Sequence, residues 1–190
     1  MNFTFDFHPI TFAATYLLIS SLCYFIIYKK KQNSSLVDLA VMLSLILYCL
    51  IIFKLVLLPI QVFSKVNLSL SPSLYWQLVP FESIQDVIRA GTWKTQLLGN
   101  IGTFFPIPFF ISYYKNNICK IKTAILSGVF ISLGIEITQV IINYITKFPN
   151  RVFDVDDILL NVIGTIFGWI SLQILSKIIK GTKRKSQSLQ

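Results

Sequence analysis

Five apolar stretches, each near the ~20 residues that a helix needs to cross a hydrocarbon core, dominate the chain: Ile10–Tyr28, Leu39–Leu58, Leu97–Tyr114, Ile121–Ile145 and Ile158–Ile179. With 54% hydrophobic and only 13% charged residues over 190 positions, a soluble monomer could not hide this much apolar side chain. The sequence therefore predicts an all-α membrane protein of five transmembrane helices. Met1–Pro9 carries Asp6 and His8 but no Lys or Arg, and no small-residue cleavage pattern follows the first stretch, so that stretch is expected to remain as a span.

Basic residues set the orientation, because loops rich in Lys and Arg stay on the cytoplasmic side. Lys29, Lys30 and Lys31 follow the first span, Lys115, Lys120 and Lys122 separate the third and fourth, and Lys177, Lys180, Lys183, Arg184 and Lys185 close the chain. Alternation through five spans puts all of these on one side. Lys65, Arg89, Lys94, Lys147 and Arg151 fall on the other, accompanied by six acids. The N-terminus is predicted outside and a polar, disordered C-terminal tail inside. The net charge of +9 thus belongs to membrane topology, and nucleic acid is not expected as a partner.

The one long connection, Gln61–Gln96, is predicted to hold a short helix on the outer interface. Phe81, Ile84, Val87 and Ile88 recur at helical spacing opposite Glu82, Gln85, Asp86 and Arg89, with Gly91 as a stop. Tyr75, Trp76 and Trp93 flank it as headgroup-level aromatics do.

Polar side chains inside spans are costly and point to function unless neighbouring helices satisfy them. Ser132, Glu136, Gln139 and Asn143 share an arc of about 60° on the fourth helix, with Glu136 near mid-depth. Asp154, Asp157, Asn161, Gly164 and Gly168 share about 80° on the fifth. Asn100 stands at the outer end of the third helix, ahead of Pro106 and Pro108, which should bend or break it. Lys54 in the second lies in the same outer half and is a candidate partner for Glu136 or Asp157. The amides have an alternative role as interhelical glue, ~0.6–2 kcal/mol per bond. Asp154, Asp156 and Asp157 have one as solvated helix-entry charges. The three cysteines show no metal or disulfide spacing, and neither a cofactor nor a metal centre is expected.

The run Arg151-Val-Phe-Asp154-Val-Asp-Asp157-Ile-Leu-Leu-Asn161-Val-Ile-Gly164-Thr-Ile-Phe-Gly168 resembles the signature of the VanZ-like family of bacterial membrane proteins. Glu136-Ile-Thr-Gln139, Asn100-x-x-x-Phe104-x-Pro106, Phe53-Lys54 and Pro80-Phe81 are similar to further family motifs in the same order, and the likeness covers Ile51–Trp169. Pro108 departs from it, standing where a Gly is common. The resemblance implies a multi-pass plasma-membrane protein linked to resistance to the glycopeptide teicoplanin. It divides the chain into residues 1–50, a VanZ-like membrane domain over 51–170, and 171–190 with the basic tail.

The sequence supports three readings, and catalytic residues are not assigned. In the first, Lys54, Asn100, Glu136, Gln139, Arg151, Asp154, Asp157 and Asn161 form an outward-facing pocket that binds a lipid headgroup, a lipid-linked envelope precursor or the antibiotic. In the second, Glu136 and Asp157 are an acid/base pair of a membrane enzyme, working around a divalent cation held by carboxylate oxygens. In the third, Glu136 carries a proton in a small transporter that needs a homo-oligomer. Membrane lipids are partners in all three.

Overall fold

A computed structural model describes residues 2–28, 35–63 and 75–187. Lys29, Lys30, Lys31 and Lys65, used above for orientation, lie outside them. The described chain is mostly helical, and four of its helices are long and apolar enough to cross a membrane. It forms two compact units, residues 1–71 with 138–152, and residues 72–137 with 153–190.

In the first unit, β1 (Phe3–Phe5) precedes α1 (Pro9–Cys23), which runs into a π-helical turn over Tyr24–Tyr28. Pro9 suits the first helical position, where its missing N–H would have no intrahelical acceptor. Helix α2 (Leu36–Leu57) begins with a capping box, in which Ser35 Oγ accepts from Asp38 N and Asp38 Oδ2 accepts from Ser35 N. After α2, β2 (Ile60–Val62) pairs antiparallel with β1, Thr4 opposite Gln61. Helices α1 and α2 pack together yet fully bury almost none of their apolar side chains and leave many of them exposed, a surface that only lipid or protein could cover.

The second unit opens with β3 (Trp76–Gln77), followed by α3 (Glu82–Arg89), α4 (Trp93–Phe104) and α5 (Ile107–Tyr114). Helix α3 stands where the amphipathic spacing predicted one, its Ile84 and Val87 half-buried and its Glu82, Gln85, Asp86 and Arg89 exposed. The stretch predicted as one third span is divided between α4 and α5. Pro106 cannot donate to the α4 ladder, and Pro108 falls in the first turn of α5, where an amide has no intrahelical partner. At ~1.5 Å per residue the two together reach about 30 Å, and neither alone would cross a bilayer.

Helix α6 (Ile121–Thr146) gives its first turns to this unit and its last to the first unit. Strand β4 (Phe153–Asp154) then pairs parallel with β3 and leads into α7 (Val155–Gln187). Helix α7 continues through Lys183, Arg184 and Lys185 to Gln187, where the sequence predicted disorder. This is a correction with a simple cause: Lys, Arg and Gln are good helix formers, and no proline interrupts them.

The α4–α7 contact depends on missing side chains. A Cβ on Gly164 would run into the Ile101 carbonyl, and one on Gly168 into the Phe105 carbonyl. Small residues four apart thus bring the two backbones together. Between α6 and α7, Gly128 of α6 receives Thr165 of α7. Trp169 Nε1 donates to Cys119 O at 2.9 Å, tying α7 to the α5–α6 turn. Gly168→Ala should therefore lower stability by ~1–3 kcal/mol, whereas Gly102→Ala, with open space around its Cβ, should be neutral or gain up to about 1 kcal/mol. Thermal unfolding of the purified protein in detergent distinguishes the two.

Candidate functional site

Helix α6 turns its polar stripe inward. Ser132, Glu136, Gln139 and Asn143 are all buried, while Ile131, Ile137, Ile141 and Tyr144 on the opposite face are exposed. Backbone groups out of reach of water must find partners within the protein, and Glu136, Gln139 and Asn143 meet that need.

In the second unit, Glu136 is 1% exposed and its Oε2 accepts the Asp154 backbone N–H at 3.1 Å. Asp154 Oδ1 in turn accepts Asp156 N at 2.8 Å, so Asp154 caps the start of α7. Asp157, one residue further, accepts from Asn100 Nδ2 of α4. One turn deeper, Asn161 Nδ2 donates to Ser132 Oγ at 2.8 Å, both side chains buried. Five sequence-predicted residues (Asn100, Glu136, Asp154, Asp157 and Asn161) thus gather with Ser132 around the first two turns of α7. Among the described residues of this unit, no Lys or Arg lies within ion-pair distance of Glu136. Burial pushes the Asp154 carboxyl above the usual aspartate range; hydrogen bonds from Ser83 and the Asp156 N–H pull it back, and the Asp156 charge raises it.

Asp156 is the residue that sequence reasoning left out of the site. It is 1% exposed, which excludes a solvated entry charge. Its carboxylate accepts Phe81 N at 2.6 Å and Ile84 N at 3.2 Å. Helix α3 has no cap of its own, and Phe81 at its N-cap adopts a left-handed φ of 69°. Asp156 therefore supplies that cap from more than seventy residues away. Its position off the Asp154/Asp157/Asn161 stripe concealed the role, and a buried carboxylate partner for Pro80-Phe81 left no trace in periodicity.

In the first unit, Gln139, Arg151 and Lys54 attend to backbone carbonyls. Gln139 Nε2 donates to Val56 O at 3.0 Å, and Arg151 Nη2 to Leu58 O at 2.8 Å and towards Leu55 O at 3.5 Å. These carbonyls belong to the last turn of α2 and the residue after it, where an arginine also meets the negative end of the helix dipole. Lys54 Nζ donates to Phe7 O at 3.1 Å and lies 5.9 Å from the Phe12 ring centre. Asn143 Oδ1 accepts from Asn150 N and Arg151 N, and its Nδ2 donates to Arg151 O at 2.6 Å. Asn150 then pairs through both amide atoms with the backbone of Gln61. Asn150 was not foreseen, since a lone Asn after Pro149 reads only as a turn.

No group of three or more His, Cys, Asp or Glu among the described residues has the geometry of a metal site.

Asp156→Ala should release α3 at a cost of ~1–3 kcal/mol, with faster hydrogen exchange at Phe81 and Ile84, while Asp156→Asn should retain part of the protection. Because the Asp154 carboxyl is raised in the folded protein, its contribution to stability is present below the ordinary value of ~3.9 and is lost as pH rises through the raised one. Asp154→Asn keeps the capping oxygen and loses the titration. Its stability relative to wild type should therefore rise with pH above ~4, as thermal melts across that range would record.

None of the curated proteins and none of the solved structures matches the chain. The family model described as VanZ/LLP1 does match it, over residues 45–176. That span takes in α4, α5 and α6 whole, together with Lys54 and every buried polar residue from Ser132 to Thr165, and with it the chain belongs to the VanZ/LLP1 family.

Proposed function

We propose that this protein sits in the plasma membrane of a bacterium, N-terminus outside, and binds a polar headgroup beside the outer leaflet. The headgroup is that of a lipid, a lipid-linked envelope precursor or teicoplanin, and its capture lowers susceptibility to teicoplanin. In this arrangement α4 and α5 together make the third of five crossings, α3 lies on the outer interface, and the basic end of α7 is inside. The reading is supported by one observation above all: buried Glu136 and Asn161, with Asp157 and Asn100, collect at the start of α7 within one unit. Carboxylate oxygens at a helix entrance suit a ligand that donates hydrogen bonds or carries an ammonium group.

The α3 segment fits the same placement. Trp76, Leu78, Val79, Phe81, Ile88 and Trp93 are exposed along it, and Asp156 fastens it to the first turn of α7. Aromatic and aliphatic side chains at that level belong at a membrane surface.

Teicoplanin susceptibility should rise on deletion of the gene and be restored by the wild-type chain. Glu136→Gln and Asp157→Asn, expressed to the same membrane level, should restore little, because loss of a carboxyl group that hydrogen-bonds the ligand weakens binding by roughly tenfold or more. Full restoration by both variants would overturn the reading.

A further inference from the structure

Helix α7 is too long for the membrane it crosses. Its 33 residues extend about 50 Å at helical rise, against a hydrocarbon core of ~30 Å. Counted from Val155, the core is used up near Ile174, and this is where the helix loses its protein partners. Ser171, Leu172 and Gln173 are still half-buried; Ile174, Leu175 and every residue from Lys177 to Thr182 are exposed.

The charge changes at the same place. Asp157 is the last acid of the chain, and no Asp or Glu occurs from Ile158 to Gln190, while Lys177, Lys180, Lys183, Arg184 and Lys185 follow one another within nine positions. Nothing in the sequence of α7 beyond its first turn compensates them. Ile174, Leu175, Ile178 and Ile179 cover one arc of about 140°, and Lys177 and Lys180 stand on the opposite side. A helix emerging from lipid with one apolar and one basic face keeps the apolar face against acyl chains while lysines reach outward to the headgroups.

We propose that the last four turns of α7, from Ile174 onward, are a rigid basic anchor that gathers anionic phospholipid headgroups in the leaflet where the helix emerges. Each Lys or Arg at a membrane surface adds attraction to anionic lipid, and the attraction is screened by salt. The helix makes the anchor continuous with the wall of the polar cluster, since Asp157, Asn161 and the anchor share one uninterrupted rod. The anchor does not depend on what the cluster binds, and its test is independent of teicoplanin.

The test uses the full-length protein in phosphatidylcholine bilayers containing traces of spin-labelled phosphatidylglycerol or spin-labelled phosphatidylcholine. The motionally restricted fraction of each label reports its residence at the protein. Phosphatidylglycerol should be favoured by about threefold or more at low salt, and the preference should fall towards parity near 0.5 M NaCl. Changing Lys177, Lys180, Lys183, Arg184 and Lys185 to Gln together should abolish it, changing all five to Lys or Arg of the other type should preserve it, and Lys115→Gln with Lys120→Gln and Lys122→Gln should leave most of it. A wild-type protein without preference, a preference indifferent to salt, or one that survives the five Gln changes would overturn the proposal. So would an equal loss from the Lys115, Lys120 and Lys122 changes.

Discussion

A helix that stops inside or beside a bilayer leaves carbonyls or amides that water cannot reach, and every such end must be closed by the protein itself. This constraint explains the positions of the polar residues better than their depth does. The last turn of α2 is closed by Arg151 and Gln139, the start of α3 by Asp156, and the start of α7 by Asp154. Three of these four residues reach the helix end from a remote part of the sequence. The closures join segments that no local propensity could hold together, such as an eight-residue α3 whose own N-cap, Phe81, has no side-chain oxygen to offer.

Some of the polar groups do more than close ends. Asn161 and Ser132 pair between α7 and α6, and Asn100 and Asp157 between α4 and α7, where glycines have already drawn the backbones together. Glu136 links both roles, since its carboxylate holds the Asp154 amide and Asp154 caps α7. In the proposed function, a ligand that drew Glu136 away would free the entrance of α7 through the same hydrogen-bonded chain.

Much of this was legible in the sequence, for identifiable reasons. The α6 stripe could be read because four polar residues at helical spacing interrupt an otherwise apolar run, and a buried face follows from that pattern alone. The break between α4 and α5 could be read because proline lacks a donor wherever it stands. The α3 helix was visible in its two opposed faces. Asp156 was not, because capping another helix depends on tertiary approach and carries no period. Lys54 was expected to seek a carboxylate, but its ammonium reaches the Phe7 carbonyl, a backbone group that no side-chain pattern advertises. The extent of α7 was underestimated because basic, polar residues read equally well as a solvated helix and as a disordered tail.

The central claim is that acid and amide side chains on separate helices hold one another rather than facing lipid. A double-mutant cycle of Asn100→Ala and Asp157→Ala, read from unfolding free energies in detergent, tests it most directly. The account predicts a favourable coupling energy of about 1 kcal/mol or more between the two positions. Strictly additive effects, with no coupling, would contradict it.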